Sequence, residues 1–121
     1  MAPKVFTRVG PQSAVYAQPT DAAGRIQALQ ALLSCPTSSI HARQRDAAEL
    51  RAARDGLPLP VAGAPGVYSC GFRSIKGLAC ESYLLVRPSG NVLIDAPRFN
   101  PALAENLQRL GGVTYMFLTH K

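Results

Sequence analysis

The C-terminal part of the chain, residues 66–121, arranges short apolar runs and turn residues in an order that constrains the fold more than any other feature. Residues 82–86 and 92–95 are strand candidates on either side of Pro88–Asn91, where a proline and a glycine both favour a chain reversal. The pattern predicts a β-hairpin. Val67–Phe72 is a further strand candidate in the same region.

A helix is predicted to follow this hairpin. Asn100 is suited to cap the free amide groups of the first turn, and Pro101 fits the first helical position because its missing N–H would have no partner there. Gly111 and Gly112 end the helix. The expected buried stripe consists of Ala104, Leu107 and Leu110.

The next run, Tyr115–Leu118, is apolar at every position. A continuous apolar run of this length is typical of a strand that is covered on both faces. The strand places Thr119 and His120 at its C-terminal end, directly before Lys121.

The first section of the chain, residues 1–41, predicts two short strand-like pieces followed by a helix. Gly10 and Pro11 separate the two pieces. Thr20 or Asp21 is expected to cap the helix, and the helix is expected to end at Cys35, because the residue before a proline is displaced from the α region.

The middle section, residues 42–65, predicts a surface helix and a linker. The stretch His41–Asp55 is rich in good helix formers, and its apolar side is mostly alanine. Gly56 ends the helix, and the Pro- and Gly-rich residues 57–66 are typical of a stiff, extended tether. We therefore predict a domain boundary here.

Charge and cysteine content narrow the classes of function. The net charge of +6 is spread along the chain without a block of like charges or a nucleic-acid motif, so no nucleic-acid partner is expected. No apolar stretch is long enough to cross a membrane, and no signal peptide is visible, which favours the cytoplasm or the plastid stroma. The three cysteines form no C-x-x-C motif; Cys70 and Cys80 either face each other across a hairpin or are buried thiols.

The order of elements in residues 66–121 resembles the start of the metallo-β-lactamase fold. The matching pieces are the hairpin that ends in Asp95, the helix that ends in Gly111-Gly112, and the strand that ends in Leu118-Thr119-His120. The resemblance implies a mixed fold, α/β locally and α+β overall, in which residues 66–121 are the N-terminal part of an αββα sandwich. Complete members are metal-dependent hydrolases, including glyoxalase-type thioesterases, that use zinc or iron to activate a water molecule.

The same resemblance assigns two positions of the metal loop. His120 corresponds to the first metal-binding histidine, and Asp95 corresponds to a residue that supports the loop and is not a usual ligand. The alternative is that His120 is a frayed residue without a role and Asp95 is a turn or cap residue. The further ligands of the family are absent, and catalytic zinc normally has three protein ligands, so no catalytic residue is assigned.

Residues 1–41 resemble the rear part of a single-cluster bacterial-type ferredoxin. The matching pieces are Ala2-Pro3-Lys4-Val5-Phe6 and the Cys35-Pro36 pair with its small-residue turn. By this resemblance Cys35 is the last ligand position of a [4Fe–4S] cluster, a group held by cysteine thiolates. The C-x-x-C-x-x-C run that supplies the other ligands is missing, so no cluster is expected in this chain.

Together the two resemblances predict a member of the metallo-β-lactamase superfamily that is truncated at both ends and inactive alone, so that its status as an enzyme stays open. The domains are expected at residues 1–41 (partial ferredoxin-like segment), 42–65 (helix and linker) and 66–121 (start of the hydrolase-like domain). One alternative is a non-enzymatic half-domain that associates with itself or with a partner through exposed strand edges. Another is an iron–sulfur electron carrier, which a single matching cysteine makes improbable.

Overall fold

The computed structural model describes residues 1–120, and within them it contains three α-helices and two β-sheets, which confirms the predicted mixed α+β class. The helices are α1 (Ala22–Ser34), α2 (Ala47–Asp55) and α3 (Pro101–Arg109). The strands are β1 (Phe6–Val9), β2 (Gln12–Val15), β3 (Leu59–Pro60), β4 (Val67–Ser69), β5 (Tyr83–Leu85), β6 (Val92–Ile94) and β7 (Tyr115–Phe117). A short 3₁₀ helix spans Ile75–Gly77.

The N-terminal segment folds as the local signals predict. The strands β1 and β2 form an antiparallel hairpin that turns at Gly10, whose φ of +59° suits a residue without a Cβ atom. Asp21 caps α1 by accepting a hydrogen bond from the Gly24 amide at 2.6 Å, and the helix ends at Cys35 as expected.

The second helix is shorter than the sequence pattern predicts. It begins after Asp46, whose carboxylate accepts a hydrogen bond from the Glu49 amide at 2.8 Å, whereas the prediction placed its start at His41. Good helix formers continue upstream, but the capping carboxylate defines the start because it satisfies an amide of the first turn. Gly56 ends the helix as predicted.

The larger sheet has the strand order β3-β4-β5-β6-β7. Its first four strands are antiparallel, and the predicted hairpin is present as β5 and β6 with Leu84 opposite Leu93. The helix α3 then crosses back, so that β7 lies parallel to β6. Parallel pairing places the C-terminal ends of β6 and β7 side by side.

One hydrophobic core joins this sheet to α3, and Leu33 of α1 packs against it. Its buried members are Leu57, Cys70, Phe72, Leu84, Leu93, Leu103 and Leu107. Leu57 belongs to the stretch for which an extended tether was predicted, yet it is only 1% exposed, and the adjacent β3 pairs with β4. The segment between α2 and the sheet is therefore part of the core.

One prediction of burial is wrong in part and another is wrong throughout. In α3 Leu107 is buried and Leu110 packs against the core as predicted, but Ala104 is exposed and the larger Leu103 is buried instead. The run predicted to be covered on both faces is exposed on both, with exposed fractions of 54% at Tyr115, 56% at Met116, 61% at Phe117 and 58% at Leu118. The strand β7 is at the edge of the sheet, where a single neighbouring strand contacts it.

The cysteines are separate from one another. All three are free thiols: Cys70 is buried, Cys35 is partly buried and Cys80 is exposed. The expectation of a buried thiol is thus confirmed for Cys70 and wrong for Cys80. None of the helices within the described residues is long and apolar enough to cross a membrane.

Candidate metal-ligand positions at one end of the sheet

Asp95 and Thr119 meet at the C-terminal ends of β6 and β7. The Asp95 carboxylate accepts hydrogen bonds from the Thr119 amide at 2.8 Å and from the Thr119 hydroxyl at 2.6 Å. The Asp95 amide in turn donates to the Phe117 carbonyl at 2.8 Å, which continues the β6–β7 ladder. Asp95 therefore fixes the backbone directly before His120.

Asp95 remains a carboxylate in this setting. The hydroxyl of Thr119 and then its backbone amide lower the pKa of Asp95, burial opposes them, and the nearby His120 ring adds to the lowering. Its backbone has a φ of +56°, a left-handed conformation that aspartate and asparagine tolerate better than most residues. Its oxygens are engaged by Thr119, which suits a residue that supports a loop.

The His120 ring is contacted on two sides. Its Nδ1 atom lies 3.1 Å from the Thr119 hydroxyl and 3.5 Å from an Asp95 oxygen. On the other side, Gly77 approaches so closely that a Cβ atom there would lie 3.4 Å from Nε2 of His120. The ring is packed, and 21% of its side chain is exposed.

The loop that carries Gly77 is braced by a carboxylate that the sequence reasoning missed. Glu81 accepts hydrogen bonds from the Ser69 hydroxyl at 2.8 Å, from the Gly71 amide at 3.0 Å and from Arg73 at 2.6 Å. No periodicity marks Glu81, because it lies in an irregular loop and its partners are at the end of β4 and in the loop that follows. The roles of Gly77 and Glu81 had no signal in the sequence beyond their residue types.

Cys35 lies in a turn that stabilises a thiolate. Burial alone would raise the pKa of the Cys35 thiol, but the Thr37 hydroxyl and the backbone amides of Ser39, Thr37 and Ile40 together outweigh it and lower the pKa to about 7. The Thr37 hydroxyl lies 3.5 Å from the sulfur atom. By contrast, burial raises the pKa of Cys70 to about 11, as does the charge of Glu81.

The fold brings Cys35 to the same end of the sheet as Asp95 and His120. The preceding residue, Ser34, accepts a hydrogen bond from the Phe72 amide at 3.3 Å, and the Leu33 carbonyl accepts one from Arg98 at 2.8 Å. These sequence-predicted positions nevertheless do not form a joint site. Among residues 1–120, no three His, Cys, Asp or Glu side chains are close enough to hold a metal ion together.

Comparison with known families agrees with one of the two resemblances. The family described as the 4Fe-4S single cluster domain of Ferredoxin I matches residues 1–42. The ferredoxin resemblance of the N-terminal segment is thereby confirmed, while residues 66–121 lie outside this match. No curated protein and no solved structure matched the chain.

The residues of the matched segment do not fit the cluster that this family implies. A [4Fe–4S] cluster is held by four cysteine thiolates. Residues 1–42 contain Cys35 as their single cysteine, and neither Cys70 nor Cys80 lies with it in a metal-binding group. The thiolate-stabilising turn is present, but the ligand set for a cluster is not.

Proposed function

We propose that residues 66–120 form the N-terminal part of a metallo-β-lactamase-type domain, in which His120 is the first metal-ligand position and Asp95 holds the loop. What supports the proposal is the paired geometry of the Asp95 carboxylate with the amide and hydroxyl of Thr119, at 2.8 and 2.6 Å. These bonds set the direction in which the chain leaves β7, and thus where an imidazole on the next residue lies.

Complete domains of this type are metal-dependent hydrolases, and thioesters or related acyl compounds are the substrate class that we propose for them. A catalytic zinc ion requires three protein ligands and an open position for water. Residues 1–120 bring together one imidazole and one carboxylate that is already engaged. The 121-residue chain by itself is therefore proposed to be inactive as a hydrolase.

Metal retention tests this proposal directly. We expect the purified chain to retain much less than one zinc or iron ion per molecule, because a single imidazole binds such ions weakly. The measurement is elemental analysis after desalting. Stoichiometric metal in this material would overturn the proposal of an incomplete site.

A matched pair of histidine variants identifies the weak site. Zinc titration followed by NMR should show that His120→Ala removes the residual binding, whereas His41→Ala, which changes a histidine in the N-terminal segment, retains it. Equal effects of the two substitutions would contradict the role of His120. The nucleotide sequence on both sides of the reading frame would show whether the remaining ligands are encoded next to it.

A second proposed function is non-enzymatic association through the free edge of β7. Tyr115 donates to the Asn91 carbonyl and Phe117 accepts from the Asp95 amide, so these two residues direct their backbone groups to β6. Because alternate residues face opposite neighbours, Met116 and Leu118 direct theirs to the open side. An exposed apolar strand with unpaired backbone groups readily pairs with another strand.

A charge placed on this edge tests the association. We expect the wild-type chain to elute from gel filtration as a dimer or larger species, and Met116→Lys to shift it to the monomer, because a lysine on an edge strand opposes pairing. Leu78→Lys is the matched control, since Leu78 is apolar, 72% exposed and outside the sheet. A wild-type chain that elutes as a stable monomer would contradict this second function.

A further inference from the structure

The N-terminal segment, residues 1–42, matches a cluster-binding family but contains a single cysteine, so we asked which contacts hold it in place. In a cluster protein the metal ligands help to hold the chain together, since metal binding and folding are coupled. Within residues 1–120 the segment is held by contacts with the rest of the fold. Those contacts lie along α1 and at its C-terminal end.

Along its length, α1 is joined to α2. Arg25 pairs with Glu49 at 2.7 Å, and the side-chain amide of Gln30 donates to the Ala53 carbonyl at 3.3 Å. Gln30 is 4% exposed and Ala53 is completely buried. The buried side-chain amide is thus satisfied by a backbone group of the neighbouring helix, as buried polar groups generally are.

The C-terminal end of α1 is joined to the sheet. The last carbonyl groups of a helix lack partners within it. The Arg98 side chain provides a partner for one of these carbonyls by donating to the Leu33 oxygen at 2.8 Å. The backbone amide of Arg98 donates to the Phe72 carbonyl at 2.6 Å. Ser34 is 4% exposed and its hydroxyl accepts from the Phe72 amide at 3.3 Å.

The approach of the helix end to the sheet leaves no room for a side chain. A Cβ atom on Gly71 would lie 2.6 Å from the Ser34 hydroxyl, closer than real Cβ atoms come to other groups. Gly71 also has a φ of +65°, which other residues rarely adopt. Two independent requirements for glycine therefore coincide at this contact.

These contacts lead directly to the Asp95–His120 end of the sheet. Arg98 follows Asp95 by three residues, and Phe72 opens the loop whose Gly77 packs against His120. Asp95, Phe72 and Leu78 all have positive φ values, of +56°, +43° and +54°, so this end of the sheet is strained. Such strain persists only where the surrounding contacts enforce it.

We propose that α1 is a brace for the Asp95–His120 end of the sheet, acting through Arg98 and Ser34 and independently of an iron–sulfur cluster. The ferredoxin-type segment then serves in this chain as a docked structural unit. The proposal goes beyond the hydrolase assignment and does not rest on it, because it concerns contacts within residues 1–120.

Hydrogen exchange tests the brace in the full chain. In Arg98→Ala and in Ser34→Ala, we expect the Thr119 and Asp95 amides to exchange about tenfold faster, because the loss of a hydrogen bond between the end of α1 and the rest of the fold lowers the cost of local opening. The Leu84 amide at the centre of the sheet should keep its wild-type rate. Arg109→Ala is the matched control, since Arg109 pairs with Glu105 at the surface.

Cys35, at the α1 end of this contact, provides a second readout. The same two variants should increase the alkylation rate of Cys35 at pH 7 several-fold, with Cys70 as a buried internal reference. If Arg98→Ala fails to fold, Arg98→Lys replaces it, because lysine can still reach the carbonyl and should show a smaller increase. Wild-type exchange at Thr119 in these folded variants would overturn the brace.

Iron provides the third test. The melting temperature should be the same for chain purified from iron-depleted and iron-supplemented cells, and Cys35→Ser should leave it unchanged. A melting temperature that rises with iron would show that a cluster holds the segment and would overturn the proposal.

Discussion

Replacing Leu57 by alanine is expected to lower the free energy of unfolding by about 3 kcal/mol, within the range for Leu→Ala changes in cores. The side chain is 1% exposed and belongs to the core cluster with Leu84 and Leu103. Both of its methyl groups lie so close to Gly71 that a Cβ there would be 3.2 Å away, so the neighbouring backbone is already tightly packed. Truncation leaves a cavity that this backbone cannot fill by a small shift.

Equilibrium unfolding in urea, followed by circular dichroism, measures this change. Leu78→Ala is the matched control: the residue is 72% exposed, and the substitution should change stability by less than about 0.5 kcal/mol. Equal stability of Leu57→Ala and wild type would mean that the segment after α2 is a free tether, as the proline and glycine content alone suggests.

Replacing Asp95 by asparagine is expected to lower the melting temperature by several degrees at neutral pH. The substitution removes the charge from two short hydrogen bonds to Thr119, and charge-assisted bonds are about twice as strong as neutral ones. Asparagine keeps the shape of the side chain and tolerates the positive φ of 56°, so the backbone is not disturbed. The effect therefore reports on the carboxylate itself.

The lowered pKa of Asp95 also predicts how the difference in melting temperature between wild type and Asp95→Asn changes with pH. The Thr119 hydroxyl and amide lower the pKa of Asp95 in the folded chain. A group with a lowered folded pKa stabilises the protein fully above its unfolded pKa, about 4 for aspartate, and loses this contribution as the pH falls through the folded value. The difference in melting temperature between wild type and Asp95→Asn should thus be largest above about pH 5 and shrink in acid.

Asp55 is the control for Asp95, because its carboxylate is exposed and pairs with Arg54. Asp55→Asn changes an exposed partner of Arg54, and exposed pairs contribute little to stability. Its melting temperature should stay close to that of wild type at every pH. A pH-independent difference between wild type and Asp95→Asn would show that the Asp95 carboxylate does not couple to folding.

Some predictions were wrong because they used periodicity where tertiary contacts decide. The stripe of α3 was predicted to contain Ala104 beside Leu107 and Leu110, but Leu103, with its larger apolar side chain, takes the place of Ala104 in the core cluster. The run Tyr115–Leu118 reads as a buried strand, and its exposure follows from its place at the sheet edge. The hydropathy of a strand shows that its side chains could be buried, but the elements packed around the strand determine whether they are.

The amino-acid sequence by itself determined the features that depend on a few adjacent residues. The cap of α1 at Asp21, the Asn100-Pro101 start of α3 and the hairpin of β5 and β6 are all set by hydrogen bonds or backbone preferences within a few positions. The ferredoxin resemblance of residues 1–42 likewise depended on short motifs of adjacent residues.

Only the tertiary structure decided which of these positions meet. Arg98 and Leu33 are 65 residues apart, and the Thr119 amide and Asp95 are 24 apart. Such contacts depend on how the helices pack on the sheet, and packing is a property of the whole set of side-chain shapes. Local sequence signals do not encode it, so the contacts of the C-terminal end of α1 with Phe72 and Arg98 could be seen only in the folded chain.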